Sequence, residues 1–253
     1  MVRHRGAETA GADEWSARVQ LAAAYRLVAR FGMTDLIYTH LSARVPGHSE
    51  HFLINPYGWL FDEITASSLV KIDLDGNAVD PATHPVNPAG FVIHSAVHAA
   101  RPDVGCVMHT HTLPGMAVAA SERGLLPLNQ ISMQFYERIA YHDYEGISLD
   151  LGERERLVHD LGDKRAMILR SHGLLTVGRT VPEAFSVMYY LDRACAVQVA
   201  ALSMGTPVVP PPEVCEHAAR QHEQHAEGSA EHLDREWHAL LRMLDREDPG
   251  YKA

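Results

Sequence analysis

The spacing of apolar positions divides the chain into alternating helical and extended segments. Val19, Ala22, Ala23, Leu27 and Phe31 recur at helical spacing and predict a helix to about Arg30, capped by Asp13 and ended by Gly32. Residues 36–45 alternate and predict a strand, residues 52–54 a second before the turn Asn55-Pro56-Tyr57-Gly58, and residues 70–74 a third closed by Asp75-Gly76. A short helical turn is expected at 65–68. Asn87-Pro88 opens a helix through Ala100, with proline early enough that its missing N–H does no harm. The continuous apolar run 104–109 predicts a buried strand, and a helix follows from Pro114 to about Ala120. Residues 121–149 lack a period and read as irregular, with a short helix at 129–136. A charged helix is expected from Leu151 to Leu161. Strands at 166–169 and 174–177 flank Arg170-Ser171-His172-Gly173, and a capping box of Thr180 and Glu183 starts a helix to about Met204.

Alternating strands and helices put the fold in the α/β class. The only shift in composition falls at the proline-rich stretch 205–212. The chain therefore reads as a loose tail (1–12), one domain (13–205) and a polar, helical extension (206–253) that is an appendage rather than a second domain. With 253 residues it can bury a full core without disulfide or metal staples. Its 32 acidic against 22 basic residues disfavour a non-specific hold on nucleic acid or an anionic membrane. No apolar run is long enough to span a bilayer, and the first residues lack a signal-peptide core. Three widely spaced cysteines make no disulfide framework and fit a reducing, cytoplasmic setting.

Histidine is the outlier, at 17 residues. His109 and His111 leave the buried strand at positions i and i+2, which share a face and can converge on one cation. His172, in its tight turn, is the third candidate ligand. Alone, the pair also fits two half-buried strand histidines with no metal. His94 and His98 stand at i and i+4 on the predicted helix. They read either as a two-ligand face or as a helix face packed near the site, with His94 a hydrogen-bonding neighbour. His40, on the first strand, is placed to point into the same cleft. His217, His222, His225, His232 and His238 read as solvated helix residues.

The segment GFVIHSAVHAARPDVGCVMHTHT (90–112) closely resembles the class II aldolase/adducin family. So do NPYG (55–58), ITAS (64–67) and ILRSHGL (168–174), in the family's order and spacing, over roughly Val19 to Leu202. The resemblance implies a three-layer α/β/α sandwich with a central, mostly antiparallel sheet. It implies a homotetramer with sites near subunit interfaces, and a divalent cation on His109, His111 and His172. Zinc is the first expectation for that cation, with Fe, Mn, Ni or Co as others.

Two departures matter. Sugar-phosphate members carry a catalytic glutamate four residues before the position of His94, and here that residue is Gly90. Their phosphate cradle maps onto Thr39-His40, Tyr57-Gly58 and Pro88-Ala89, and the last pair loses donors because proline has no N–H and alanine no hydroxyl. The expected substrate is therefore a small, non-phosphorylated oxo- or hydroxy-acid, and the expected reaction is aldol cleavage or decarboxylation through an enolate or enediolate. His40 is a candidate base and Tyr136 a candidate proton donor, in a segment (with Tyr141 and His142) that by resemblance approaches its own or a neighbouring subunit's site. Tyr57, His94 and Gln134 are candidate substrate contacts. The alternatives are a decarboxylating non-haem Fe(II) oxygenase on the same three histidines and a non-catalytic scaffold of the adducin-head kind.

Overall fold

Helix α1 (Ala12–Arg30) forms where the apolar period predicts it and buries Leu21, Ala24, Leu27 and Val28. Its cap differs from expectation. Gly11 is the N-cap residue without a side-chain bond, and Asp13 lies in the first turn, where its charge favours the helix dipole. The computed structural model describes residues 11–80, 84–146, 152–227 and 230–253. The predicted tail falls almost wholly outside the described residues, as do Leu151 and the side chains of Pro88, Ala89, His225 and His232.

Among the described residues, seven strands make one sheet: β1 (His40–Arg44), β2 (His51–Ile54), β3 (Val70–Asp73), β4 (Cys106–Thr110), β5 (Ile139–His142), β6 (Ala166–Leu169) and β7 (Gly173–Gly178). Their order is β3-β2-β1-β4-β7-β6-β5. Every pairing is antiparallel except β5 with β6. Alternation along the strands feeds two cores. Cys106, Met108 and Ile168 pack with α1 and with α6 (Val181–Ser203). Val107, Met167 and Leu175 pack with α2 (Pro88–Ala100) and α5 (Glu153–Leu161) on the opposite face. Helices thus cover both faces of a mostly antiparallel sheet, giving the three-layer sandwich.

Two extended segments were harder to place. The strand expected from residue 36 starts only at His40, because Leu36 and Thr39 take left-handed φ values of 49° and 66°. Strand β5 lies within the stretch that reads as irregular. Its four residues carry little signal of their own and depend on pairing with β6, which comes later in the chain. Thr180 caps α6 through the Glu183 N–H, but the Glu183 carboxylate accepts from the Arg179 N–H instead of closing the box.

The C-terminal segment forms α7 (Pro212–Glu227) and α8 (Ala230–Glu247). It is integrated rather than appended. Trp237, Leu244 and Tyr251 join the core that contains α1 and α6, and the backbone N–H groups of Ala66 and Ser67 donate to the carbonyls of Tyr251 and Ala253. Trp237→Ala is accordingly expected to cost about 3 kcal/mol. A lower thermal midpoint measures this, and an unchanged midpoint would mean that the segment carries no stability. Among the described residues, no helix is long and apolar enough to cross a membrane.

Candidate metal centre

The antiparallel pairing of β1 with β4 sets His40 directly opposite His109. His109 is the penultimate residue of β4, which is buried along its whole length, and His111 follows just past the strand. His172 sits in the turn between β6 and β7, behind Ser171, whose φ is 54°. Left-handed, non-glycine residues thus precede both His40 and His172, a costly conformation that the surrounding hydrogen bonds must hold. One such bond runs from the Ser171 N–H to the Ala119 carbonyl, at 3.1 Å. Gly173 has to be glycine for a local reason. A Cβ there would lie 2.5 Å from the Thr110 carbonyl oxygen and 3.0 Å from the His111 ring.

This scaffold gathers three imidazoles. One nitrogen each from His109, His111 and His172 lie within 4.8 Å of one another. Ring centroids are 4.7 Å apart for His109–His111 and His109–His172, and 4.8 Å for His111–His172. The Nδ1 of His109 donates to the Leu174 carbonyl at 2.9 Å, so Nε2 keeps its lone pair. The Nδ1 of His111 lies 3.0 Å from Asp35 Oδ2, and its Nε2 is 2.9 Å from that of His109. Outer partners that fix a tautomer and aim Nε2 inward are what metal-ligating histidines use.

The electrostatics agree. Burial, followed by the neighbouring imidazoles, holds His109 well below its usual value, and burial then His111 and His142 push His172 down to about 4. Both are neutral near pH 7, the form that binds metal. The donor set therefore fits a divalent cation.

Behind the cluster lies a second, buried group on α2 and β1. His40 Nδ1 is 2.8 Å from His94 Nε2, His94 Nδ1 is 2.5 Å from Ser42 Oγ, and Ser42 Oγ is 2.8 Å from His98 Nε2. The His40 ring also lies 5.2 Å from that of His109. A Cβ at Gly90 would lie 2.7 Å from Cδ2 of His40, so the His40 ring fills the space that a residue-90 side chain would enter. Gly90→Glu is expected to destabilise the fold by about 1–3 kcal/mol through this overlap. Adding His40→Ala should recover most of the loss in a thermal-melt cycle, whereas additive losses would contradict the crowding.

Other predicted positions are dispersed. Tyr136 follows α4 (Gln130–Met133), and Gln134 Nε2 donates to the Ile131 carbonyl. Tyr57 is half-buried with its N–H on the Pro85 carbonyl. Among the described residues, no contact joins these three to the imidazoles. The Tyr141 hydroxyl accepts from the Leu125 N–H under a stacked Arg170, and buried His142 contacts Asp160 at 2.7 Å. His217 and His238 are exposed, and His222 is half-buried with its Nε2 3.1 Å from the Gln130 carbonyl oxygen. Two groups at the site, Asp35 and Tyr144, go beyond the sequence pattern. Asp35 is separated from His111 by 76 residues, so spacing could not reveal it. The Tyr144 ring lies 6.5 Å from that of His172. The Thr39 hydroxyl is buried beside His40 without a hydrogen-bond partner among the described residues.

Comparison with known proteins gives consistent results. Residues 19–199 match the family described as Class II Aldolase and Adducin N-terminal domain. The crystal structure of an aldolase II superfamily protein from Pseudomonas syringae is 54% identical, with a TM-score of 0.93 over 98% of this chain and 99% of that one. The L-fuculose 1-phosphate aldolase of Glaciozyma antarctica is 29% identical, with a TM-score of 0.81 over 93% of this chain and 92% of that one. Alpha-adducin of Rattus norvegicus is 43% identical over 264 aligned residues, which cover 98% of this chain but only 36% of the adducin.

Proposed function

Because this chain belongs to the class II aldolase and adducin family, we propose that it is a divalent-metal-dependent carbon–carbon lyase acting on a small, non-phosphorylated oxo- or hydroxy-acid. The observation that carries the reading is the convergence of His109, His111 and His172, with outer partners on the first two. A divalent cation held by them, zinc first by its preference for such a nitrogen set, would polarise the substrate's oxygens as a Lewis acid.

The chain's own residues have distinct tasks. His40 stands where the family's glutamate would reach and is assigned the base that accepts a hydroxyl proton in aldol cleavage. Decarboxylation takes up no hydroxyl proton and needs no such base, so the proton for the carbanion must come from another group. The unpartnered Thr39 hydroxyl is assigned a hydrogen bond to substrate, because a buried hydroxyl gains most from a ligand that satisfies it. Tyr144 supplies a proton donor on the His172 side. Tyr136, with Gln134, fills that role only for a neighbouring subunit's site in a homotetramer. Exposed Val197, Leu202, Met204 and Val208 offer apolar surface for such an assembly.

The test is a panel of 2-oxo- and hydroxy-acids assayed on metal-loaded protein with and without oxygen. Turnover under anaerobic conditions, abolished by a chelator, is the expected result. Product that forms strictly with Fe(II) and oxygen would replace the lyase with an oxygenase. A protein that takes up no metal and ignores chelators would be a scaffold.

A further inference from the structure

Helix α6 carries two distinct faces. Ala184, Met188, Leu191 and Cys195 recur at helical spacing on the buried one, which meets the sheet. There the Thr110 hydroxyl donates to the Met188 sulfur at 3.2 Å and the Thr176 hydroxyl to the Ala184 carbonyl at 3.1 Å. Pro182, Phe185, Ser186, Tyr189, Tyr190 and Arg193 repeat on the other side, where α6 and α8 leave a cavity of about 360 Å³. A void of about 150 Å³ already admits benzene, and ligand pockets begin at about 300 Å³.

The wall is aromatic. Phe31, Phe185, Tyr189 and Trp237 form a connected set, with ring centroids 5.0 Å apart for Phe31–Tyr189 and 5.8 Å for Phe185–Trp237. Two charged groups join it. The Glu236 carboxylate already has donors: the Tyr190 hydroxyl reaches Oε1 at 2.8 Å and the Ser186 hydroxyl reaches Oε2 at 3.3 Å. Burial, then Glu236, push Tyr190 up to about 12, so it keeps the proton it donates. Arg193 has no such match. Its guanidinium lies 5.0 Å from the Tyr189 ring centroid, and its Nε is buried without a hydrogen-bond partner. Asp192 acts on it through space, but among the described residues Arg193 makes no ion pair. An arginine carries five N–H donors and no acceptor, so the unmet demand of the cavity is for an anion.

We propose that this cavity is a second ligand site, separate from the three-histidine centre, for a small aromatic carboxylic acid, with its carboxylate on Arg193 and its ring between Phe31, Phe185, Tyr189 and Trp237. A guanidinium matches a carboxylate with parallel hydrogen bonds, and aromatic walls take a flat body by offset or edge contact. A cationic ligand would face the Arg193 charge and find the Glu236 oxygens already holding two hydroxyls. No residue of the cavity wall is one of the three imidazoles or of their outer partners, so the site goes beyond the lyase reading and does not depend on it.

Calorimetric titration of the full chain with 3-phenylpropionate tests it, with 3-phenylpropan-1-ol and 3-phenylpropylamine as the neutral and cationic counterparts of the same ring. One saturable carboxylate site per chain is expected, tighter than either counterpart. It should persist in chelator-treated His172→Ala, which separates it from capture of a carboxylate by a metal. Arg193→Gln removes the charge at a half-buried position and should weaken the carboxylate by about tenfold or more. Ser186→Leu fills the cavity from α6 and should abolish binding. Absence of carboxylate binding, equal or tighter binding of the alcohol or the amine, loss of the site in His172→Ala, or full affinity in either cavity variant would each overturn the proposal.

Discussion

Replacing His172 with alanine is expected to strip the protein of its divalent cation while leaving the fold intact. His172 is half-buried in a turn, so the substitution opens no large core cavity, and Gly173 with Ser171 still shapes the backbone. Two imidazoles remain, too few for the three-ligand sites that such metals use. Asp35→Ala is the graded companion. It frees the His111 ring to turn without removing a ligand, and loss of an outer partner of this kind costs about 10–100-fold in metal affinity. Metal content after dialysis and zinc titration calorimetry measure both. The expected order of affinity is wild type, then Asp35→Ala, then His172→Ala. Wild-type affinity in His172→Ala would mean that the cation, if any, is held elsewhere.

The second large effect is acid sensitivity of the fold. His40, His94 and His98 lie in the buried layer between α2 and the sheet. Burial is the main cause that depresses all three, with neighbouring imidazoles adding to it for His40 and His94 and Arg44 for His98, which falls to about 3. In the unfolded chain each titrates near 6.5. Below that value the unfolded state binds protons that the folded state refuses, so stability falls as pH falls. Each group contributes about 1.4 kcal/mol per pH unit over this window. Between pH 6.5 and 5 all three act in the same direction, so their losses of stability add. Thermal melts of metal-free protein should show a steep decline over this interval and a plateau above pH 7.5, and His98→Phe should flatten the slope by about a third. A midpoint independent of pH down to 5 would show that the buried rings do not resist protonation.

The elements most legible in the sequence were those with their own period or punctuation. The stripe of α1, the Asn87-Pro88 opening of α2 and the Thr180 cap of α6 each carry local information, and all three helices form within a residue or two of expectation. Strand β5 was invisible because four residues on a sheet edge owe their conformation to a partner strand that the local pattern does not contain. The true start of β1 was hidden by Leu36 and Tyr38, which alternate correctly yet lie exposed on a left-handed turn. The three metal-ligand candidates were legible from the H-x-H spacing and the Ser-His-Gly turn. Asp35 and the Ser42–His98 contact were not, since both arise from pairings across the chain that only the sheet register creates. Gly90 was read as an absence, a missing carboxylate. In three dimensions it is also a fit, because the His40 ring occupies the space above it.

The most direct test of the account is anomalous diffraction from crystals of the protein purified without chelator, or reloaded with zinc. One peak is expected between His109, His111 and His172, with nitrogen distances of about 2.0–2.1 Å and the His40 ring beside it over Gly90. A zinc-saturated crystal with no peak there, or with the three imidazoles turned away from one another, would contradict it.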